Sequence, residues 1–403
     1  MIKTLWGLDK KGGHKVWTIE CGNGIGQDAY IKISHGKDGG KLTFKTEVIT
    51  KGKQGRSCYE QAVSEAEGRI KKQVDKGYRE DKSELEDLDV LAMLAADYRK
   101  QGHRIIFPCY GSVKYDGVRA LAKKRNGVVT LESRTSQPYD VPHIVEMLTI
   151  HMQDGDIWDG EIYKHGCELQ DIVSAVKRTD TQAEIDKAQR KLNKADKMEK
   201  DPKVSDEEWY QFNLLAEQEM AEAKLIHDLR PQLEFHIFDV VTDQKFIDRV
   251  KLLDELCGIP VVSPCIKITQ YLWVADAGDM KVKHDEAVNA GYEGLMLRNF
   301  CGVYESGKRS ADLQKYKEFI DSEFLIIDII EDKQGNAVFV LQNDITGLES
   351  PFQCVMGDMA ERKHYIENKN LYIGKLLTVK YQSRYKGTLL PQFPTGVAIR
   401  DYE

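Results

Sequence analysis

None of the eight cysteines (Cys21, Cys58, Cys109, Cys167, Cys257, Cys265, Cys301 and Cys354) forms a C-x-x-C pair. Neither a zinc ribbon nor a disulfide framework is therefore expected, and they read as reduced thiols of a cytosol-like compartment. No apolar run approaches the roughly 20 residues that span a bilayer. The opening Met1-Ile-Lys-Thr-Leu-Trp-Gly7 lacks the apolar stretch of a secretory signal. These absences exclude a membrane-spanning protein and a stapled mini-scaffold, and no membrane partner is expected. The chain also lacks an overall positive charge: its net is −7, unlike a simple polybasic nucleic-acid binder. The charge is uneven, however. Residues 1–82 hold 17 Lys+Arg against 11 Asp+Glu, a net of +6, which leaves −13 for the rest. A basic module ahead of an acidic body is compatible with this split, as is a solvated face.

With 403 residues, 41% hydrophobic and 31% charged, the chain is long enough for two or three domains. Residues 1–85 read as a small α+β unit. Val16–Ile19, Ala29–Ile33 and Lys41–Ile49 alternate apolar and polar residues, as half-buried strands do. Glycine-rich turns separate them at Lys11-Gly-Gly, Gly22-Asn-Gly, Asp38-Gly-Gly and Lys51-Gly-Lys-Gln-Gly. Ser57–Lys76 predicts one amphipathic helix ending at Gly77, with Ala62, Ala66, Ile70 and Val74 on one face. A second helical stretch is expected over Glu84–Gln101, then a strand-rich body from about 104 to 178. Residues 179–230 have no glycine and are dominated by Ala, Glu, Lys, Gln and Asp. Asp201-Pro202 divides them into a helical hairpin, with Ser205-Asp-Glu-Glu208 starting the second helix. The body resumes at Leu233 and runs to about Phe319. Beyond it, Phe324–Ile330, Ala337–Leu341, Leu376–Tyr381 and Val397–Ile399 are short strands at the spacing of a small barrel.

The most informative run is Ser112-Val-Lys-Tyr-Asp-Gly-Val-Arg119, which reads K-x-D-G-x-R. A lysine amine can attack phosphorus and form a P–N bond that is later broken. An ordinary lysine is protonated at neutral pH, so a nucleophilic one needs nearby cations or a dry pocket. Arg119 supplies one cation, Asp116 a carboxylate, and Gly117 permits a tight turn. A surface hairpin turning at Asp-Gly accounts equally well for this run alone.

Further runs follow in order. Leu131–Gln137 offers Arg134 at a strand end, and Asp159-Gly-Glu161 offers a carboxylate after a turn. Glu234–Val240 is a strand carrying Phe238. Gly291–Arg298 places Glu293 beside a glycine, and Leu313–Glu318 puts Lys315 and Lys317 on one strand face. Each also has an ordinary reading. The glutamates could be surface groups, Phe238 core, the lysines a solvated face, and Arg134 half of a weak surface ion pair.

Together they resemble the ATP-dependent DNA ligases of the covalent nucleotidyltransferase superfamily, most closely the small viral and phage type. Motif I is Lys114–Arg119, motif III Asp159-Gly-Glu161, motif IIIa the Phe238 strand, motif IV Glu293-Gly294 and motif V Lys315-Tyr-Lys317. The likeness covers about 104–403. It extends through Leu169–Ala175, Phe238–Asp243 and Tyr372–Lys375. The implied fold class is α+β: a nucleotidyltransferase (adenylation) domain over 86–319, with the charged helical insertion at 179–230, then an OB-fold barrel over 320–403. Residues 1–85 resemble the WGR domain in Lys15–Ile19, the strand–Gly–strand run and the helix closing at Asp75-Lys-Gly-Tyr78. The defining Trp-Gly-Arg stands here as His35-Gly36-Lys37.

The resemblance implies the following roles. Lys114 would attack the α-phosphate of ATP and become adenylylated. Lys315 and Lys317 would hold the phosphates and help depress the pKa of Lys114. Phe238 would stack on adenine. Glu161 would bind ribose or a metal-bound water, and Glu293 would help hold Mg²⁺, with Mn²⁺ a substitute. Arg119 would contact nucleotide and nick, Arg134 would grip the 5′-phosphate, and Asp116 would orient the 3′-hydroxyl. The implied partner is nicked duplex DNA, bound by a monomer in a bacterial or phage-infected cytoplasm. The ending Leu390–Arg400 lacks the R-x-D-K form of larger relatives, which leaves open what Arg400 and Lys380 do. An RNA ligase, a GTP-using capping enzyme and a DNA-end-binding adaptor with an inactive core are the competing readings. The intact Lys114, Glu161, Glu293, Lys315 and Lys317 count against the last.

Overall fold

The structure, a computed structural model, describes residues 1–8, 13–74, 76–85, 90–332, 334–345, 350–385 and 388–400. The expected turn at Lys11-Gly12, Asp75 of the expected helix end, and residues 86–89 of the expected second helix lie outside them. By contacts the chain divides into two compact units. One comprises Met1–Ser112, Asp116–Trp273 and Arg298–Gln314; the other comprises Val113–Tyr115, Val274–Leu297 and Lys315–Glu403.

The first unit begins with an antiparallel sheet of β1 (Ile2–Leu8), β2 (His14–Asn23), β3 (Ala29–Lys37) and β4 (Leu42–Ile49), followed by α1 (Cys58–Val74). Ala62 and Ala66 of α1 pack on Leu5, Trp17, Ile19, Cys21, Ala29 and Ile31, so period-four and period-two apolar faces meet in one core. Val74, expected on that face, is exposed. The left-handed Gly77 closes the helix: Tyr78 N–H donates to Gln73 O.

Among the described residues, the helix expected over Glu84–Gln101 does not form beyond its last turn. A 3-10 turn at Ser83–Leu85, a short strand β5 (Leu94–Asp97) and the single turn α2 (Tyr98–Gln101) stand there instead. Distant partners win over local propensity: Leu94 N–H donates to Lys308 O at 2.8 Å, and Met93 N–H donates to the Tyr304 hydroxyl at 3.1 Å.

The body continues through β6 (Cys109–Lys114), β7 (Val118–Arg125), β8 (Val128–Glu132), β9 (Pro138–Tyr139), α3 (Pro142–His151), β10 (Ile157–Tyr163) and α4 (Leu169–Lys177). The charged stretch folds as α5 (Thr181–Met198) and α6 (Asp206–Leu229), which pack through Ala188, Met220 and Ala223. Ser205 and Glu208 form a reciprocal capping box at the start of α6. Next come β11 (Glu234–Val240), α7 (Phe246–Glu255), α8 (Ile259–Val262), β12 (Ile266–Ile268), β13 (Leu272–Val274), α9 (Ala277–Asn289), β14 (Gly294–Arg298) and β15 (Arg309–Tyr316).

These strands form two sheets, one ordered β12-β11-β10-β7-β8-β9 and the other β13-β6-β14-β15-β5. β6 and β7 belong to different sheets. The Asp116-Gly117 link is therefore no hairpin turn; it carries the chain from one sheet to the other. Gly117 is required for close approach, because a β-carbon there would lie 2.5 Å from Ile162 O and 2.9 Å from Glu161 Cγ.

The second unit holds β16 (Ile320–Glu331), β17 (Ala337–Leu341), β18 (Phe352–Cys354), α10 (Met359–Glu367), β19 (Leu376–Tyr381) and β20 (Thr395–Arg400). Their order is β18-β17-β16-β19-β20, and a bridge between Val355 and Thr395 joins the two edges. Phe324, Ile326, Phe339, Leu341, Leu377 and Val379 fill the interior. No helix among the described residues is long and apolar enough to cross a membrane, and none of the eight cysteines is disulfide-bonded.

Candidate nucleotidyl-transfer site

In the second unit, Lys114 ends β6, and its ammonium is ion-paired to one oxygen of Glu293. The other Glu293 oxygen accepts from Lys317 Nζ at 2.8 Å, and Lys317 also donates to Gln382 at 2.5 Å. The backbone fixes the same group, since Glu293 N–H donates to Lys114 O at 3.0 Å. The next residue, Gly294, sits at φ +150°, where a β-carbon would meet Tyr316 O at 2.5 Å. That close approach admits glycine alone and brings Glu293 to the chain that carries Lys317. Burial of Glu293 would raise its carboxyl pKa; the charges of Lys114 and Lys317 outweigh burial and hold it below the ordinary value. Lys317 lies one residue past the end of β15, and Lys315 is half-buried within it.

In the first unit, Arg119 on β7 clasps Asp159 of β10 with two bonds of 2.6 Å. Burial would lower the Arg119 pKa, but the Asp159 charge overrides it and keeps the guanidinium charged. Tyr304 donates its hydroxyl hydrogen to the same carboxylate at 2.6 Å. Burial, then the neighbouring Asp159 charge, push its phenol up, so it remains a donor.

Glu161, Arg119 and His236 occupy one row across β10, β7 and β11. Between Asp159 and Gly160 the pairing with β11 shifts, so Asp159 faces Asp239 and Phe238 is the extra residue. Such a bulge re-aims side chains. Here Phe238 lies under the Arg119 guanidinium at 4.5 Å and the Arg298 guanidinium at 5.7 Å. Asp239, fully buried, takes Arg249 Nε at 2.7 Å and Arg298 Nη1 at 2.5 Å. Phe238 is thus half-buried between cations, not core. Its carbonyl is held by the Tyr271 hydroxyl at 2.6 Å.

Arg134 is exposed in the turn after β8, two residues past the strand end. Asp116 is half-buried in the link that follows β6. Lys380 and Arg400 are held by acids of β16, Lys380 to Asp321 at 3.6 Å and Arg400 to Glu323 at 3.2 Å. Among the described residues one trio has metal-ligand chemistry in reach, His284, Asp285 and Glu318. Lys281 already bonds Asp285 at 2.5 Å and Glu318 at 3.2 Å, so the trio is an ion-pair cluster. Sequence reasoning named neither Tyr304 nor the Asp239–Arg249–Arg298 cluster. Asp239 directly follows Phe238 and Arg298 closes the motif IV strand, which was the only signal for either; Tyr304 had none.

The model of the ATP dependent DNA ligase domain matches residues 91–317. The DNA ligase of Enterobacteria phage T4 is 25% identical over 309 residues, covering 71% of this chain and 62% of its own length. The DNA ligase of African swine fever virus is 25% identical over 306 residues, covering 72% and 62%. The chain thus spans about 62% of the length of these curated relatives. Among solved structures, the one titled "Pmar-Lig_Pre." aligns with a TM-score of 0.58 at 18% identity, over 78% of this chain and 68% of that one. A structure from work on minimal Lig E DNA ligases aligns at 0.54 and 21% identity, over 78% of this chain and all of that one. At such identity these two speak for the mixed α+β fold. With the family model covering more than half its length, the chain belongs to the ATP-dependent DNA ligase domain family.

Proposed function

We propose that this protein is an ATP-dependent DNA ligase that seals 5′-phosphate/3′-hydroxyl nicks in duplex DNA. The observation that carries the reading is the motif I lysine held, with the motif V lysine, on the motif IV glutamate. In the first step the Lys114 ammonium gives up a proton to solvent and its Nζ attacks the α-phosphorus of ATP; the P–N bond forms, the α–β bridging P–O bond breaks and pyrophosphate leaves. In the second, the nick's 5′-phosphate oxygen attacks that phosphorus, the P–N bond breaks and AMP passes to the DNA. In the third, the 3′-hydroxyl attacks the 5′-phosphorus, loses its proton and expels AMP. Catalysis would rest on positioning and charge neutralisation.

Lys315 and Lys317 would neutralise phosphate oxygens, Phe238 would stack the adenine, and Arg119 would contact the nucleotide and nick. Arg134, which is exposed, would grip the 5′-phosphate, and Asp116 would orient the 3′-hydroxyl. Glu161 and Glu293 carry the hard oxygen donors that suit Mg²⁺ or Mn²⁺; the ion would neutralise charge on the phosphates. Glu293 now holds two ammonium groups, so it would have to exchange one of them for the ion.

We assign 1–85 to a WGR-like DNA-binding domain, 86–319 to the adenylation domain with its 179–230 insertion, and 320–403 to an OB-fold. Separate apolar cores over 1–78 and 324–399 support the outer boundaries. The five strands joined edge to edge, with a helix between the third and fourth, support the OB-fold. Nicked duplex is the proposed partner, bound by a monomer. The phage and viral relatives suit work in a bacterial or infected-host cytoplasm.

The test is incubation with α-labelled ATP or GTP and Mg²⁺, denaturing electrophoresis, and a chase with nicked DNA. A label from ATP that is lost as the nick is sealed, and absent from Lys114→Ala, is expected. Labelling from GTP alone, or normal labelling of Lys114→Ala, would overturn the assignment.

A further inference from the structure

The helical hairpin of α5 and α6 has no place in the chemistry above, and its charge is sorted by helix. α5 carries five cations and three acids, and α6 one cation and seven acids. At 100° per residue, Thr181, Ala188 and Ala195, all buried, define the inner face of α5, with Glu184 and Asp196 at its flanks. Away from that face stand Lys187, Arg190, Lys194 and Lys197, a 3-4-3 spacing that keeps them in one stripe; Lys187 borders the cleft that holds Glu184, Glu219 and Glu222. All four are exposed, and among the described residues none is ion-paired. Lys194 lies over the Phe212 ring at 5.0 Å, which orders its stem and leaves its charge unneutralised. By contrast Lys191, nearer α6, is spent on Glu219, and Arg178 on Glu222. Asp186, which borders the stripe, takes the Gln182 amide.

We propose that this face of α5 is a track for the phosphates of the duplex flanking the nick. The proposal rests on the ligase reading above. Ten residues of helix rise about 15 Å, the span of roughly four phosphates of one strand at about 3.4 Å each. The acids of α6 do not cancel the stripe. The ion pairs that α6 acids form with this part of the chain go to Lys191 and Arg178, and none goes to the stripe. A phosphate in front of α5 meets four exposed cations that form no ion pair among the described residues, with Asp186 the acid that borders them. The contact carries no base reading; it adds affinity and salt dependence.

The experiment measures binding of the full chain to a nicked duplex by fluorescence anisotropy between 50 and 200 mM salt (about the range over which phosphate contacts are titrated out). It compares the parent with the K187Q/R190Q/K194Q/K197Q variant. Glutamine matches lysine and arginine in helix propensity and these side chains are exposed, so the fold is retained. Each phosphate contact contributes about 0.9 to the log–log salt slope. The variant is expected to lose about 2 to 4 from that slope and about tenfold or more in affinity. Autoadenylylation with labelled ATP should be unchanged, and Lys251→Gln, an exposed lysine on α7, should leave the slope as it is. A quadruple variant with the parent's slope overturns the track, as does a loss no greater per charge than that of Lys251→Gln. Failure of the parent itself to adenylylate or to bind the nick would instead overturn the ligase reading.

Discussion

Glu293 holds Lys114 with one carboxylate oxygen and Lys317 with the other. The candidate nucleophile and a candidate phosphate-binding lysine are thereby kept side by side by a single anion, and removing its charge leaves two ammonium groups facing each other. Glu293→Gln should lower stability by about 1–3 kcal/mol, the scale for leaving charged partners unpaired. It should also cut lysyl-AMP formation by at least about a hundredfold, as expected when a group that positions the reacting atoms is lost. Because the Glu293 carboxyl is held below its ordinary value, the stability difference between parent and variant is complete above the usual carboxylate range. It shrinks as the pH falls through the folded-state value. Denaturant melts at several pH values, beside labelling by α-labelled ATP, check both halves.

Tyr304 to Asp159 to Arg119 is a chain of short bonds in which the tyrosine, in this reading, does not touch the nucleotide. Its work would be positional: it fixes the carboxylate that fixes the guanidinium. Tyr304→Phe keeps the ring and removes the donor, so a loss of about 1.5–3 kcal/mol, the scale of a hydrogen bond to a charged group, is expected. A merely structural residue would lower the melting temperature and leave the reaction alone. Here the apparent KM for ATP in adenylylation should rise, and adding Arg119→Ala should cost less than the two single effects combined. Full additivity would refute the chain.

How far the sequence disclosed these groups follows from the range over which each is fixed. The barrel strands of 324–399 are short apolar runs between glycines and charged turns, and the α5–α6 hairpin is marked by a proline and a serine cap, all signals within a few residues. The site residues were legible because they stand inside short runs such as Lys114–Arg119. The helix expected over Glu84–Gln101 failed because the donors of Met93 and Leu94 find partners more than 200 residues away. Strand β1 went unread because its inward face carries one large apolar residue, Leu5, and the space beside Gly7 is filled by Tyr78 from across the chain. The bulge that puts Phe238 and Asp239 among three arginines is a register event between strands β10 and β11, some 80 residues apart, and no local pattern marks it.

Glu234 opens the Phe238 strand and lies against His236 and Lys164 at 3.1 and 3.2 Å. The hydrogen bond from His236, then that from Lys164, prevail over burial and lower its carboxyl to about 2. A carboxyl depressed in the fold stabilises it above its unfolded value, near about 4.3, and the contribution is lost as pH falls toward 2. The gap in melting temperature between the parent and Glu234→Gln should therefore be constant from neutral pH down to about pH 5 and close below it. A gap that persists undiminished at pH 3 would show that the carboxylate charge is not what holds this strand end.

The basic excess of residues 1–82 meets a sheet and helix with a core of their own, so removing them should leave the rest able to fold. If the segment binds DNA through its cations, deleting 1–85 lowers nick affinity and flattens its salt dependence, because each lost phosphate contact removes about 0.9 from the slope. Lysyl-AMP formation should be retained, since every residue assigned to it lies at or beyond Lys114. Affinity that falls while the slope stays constant would point to a contact other than phosphate neutralisation. An unchanged slope with unchanged affinity would remove the DNA-binding role from this segment and leave its charge as a solvated face.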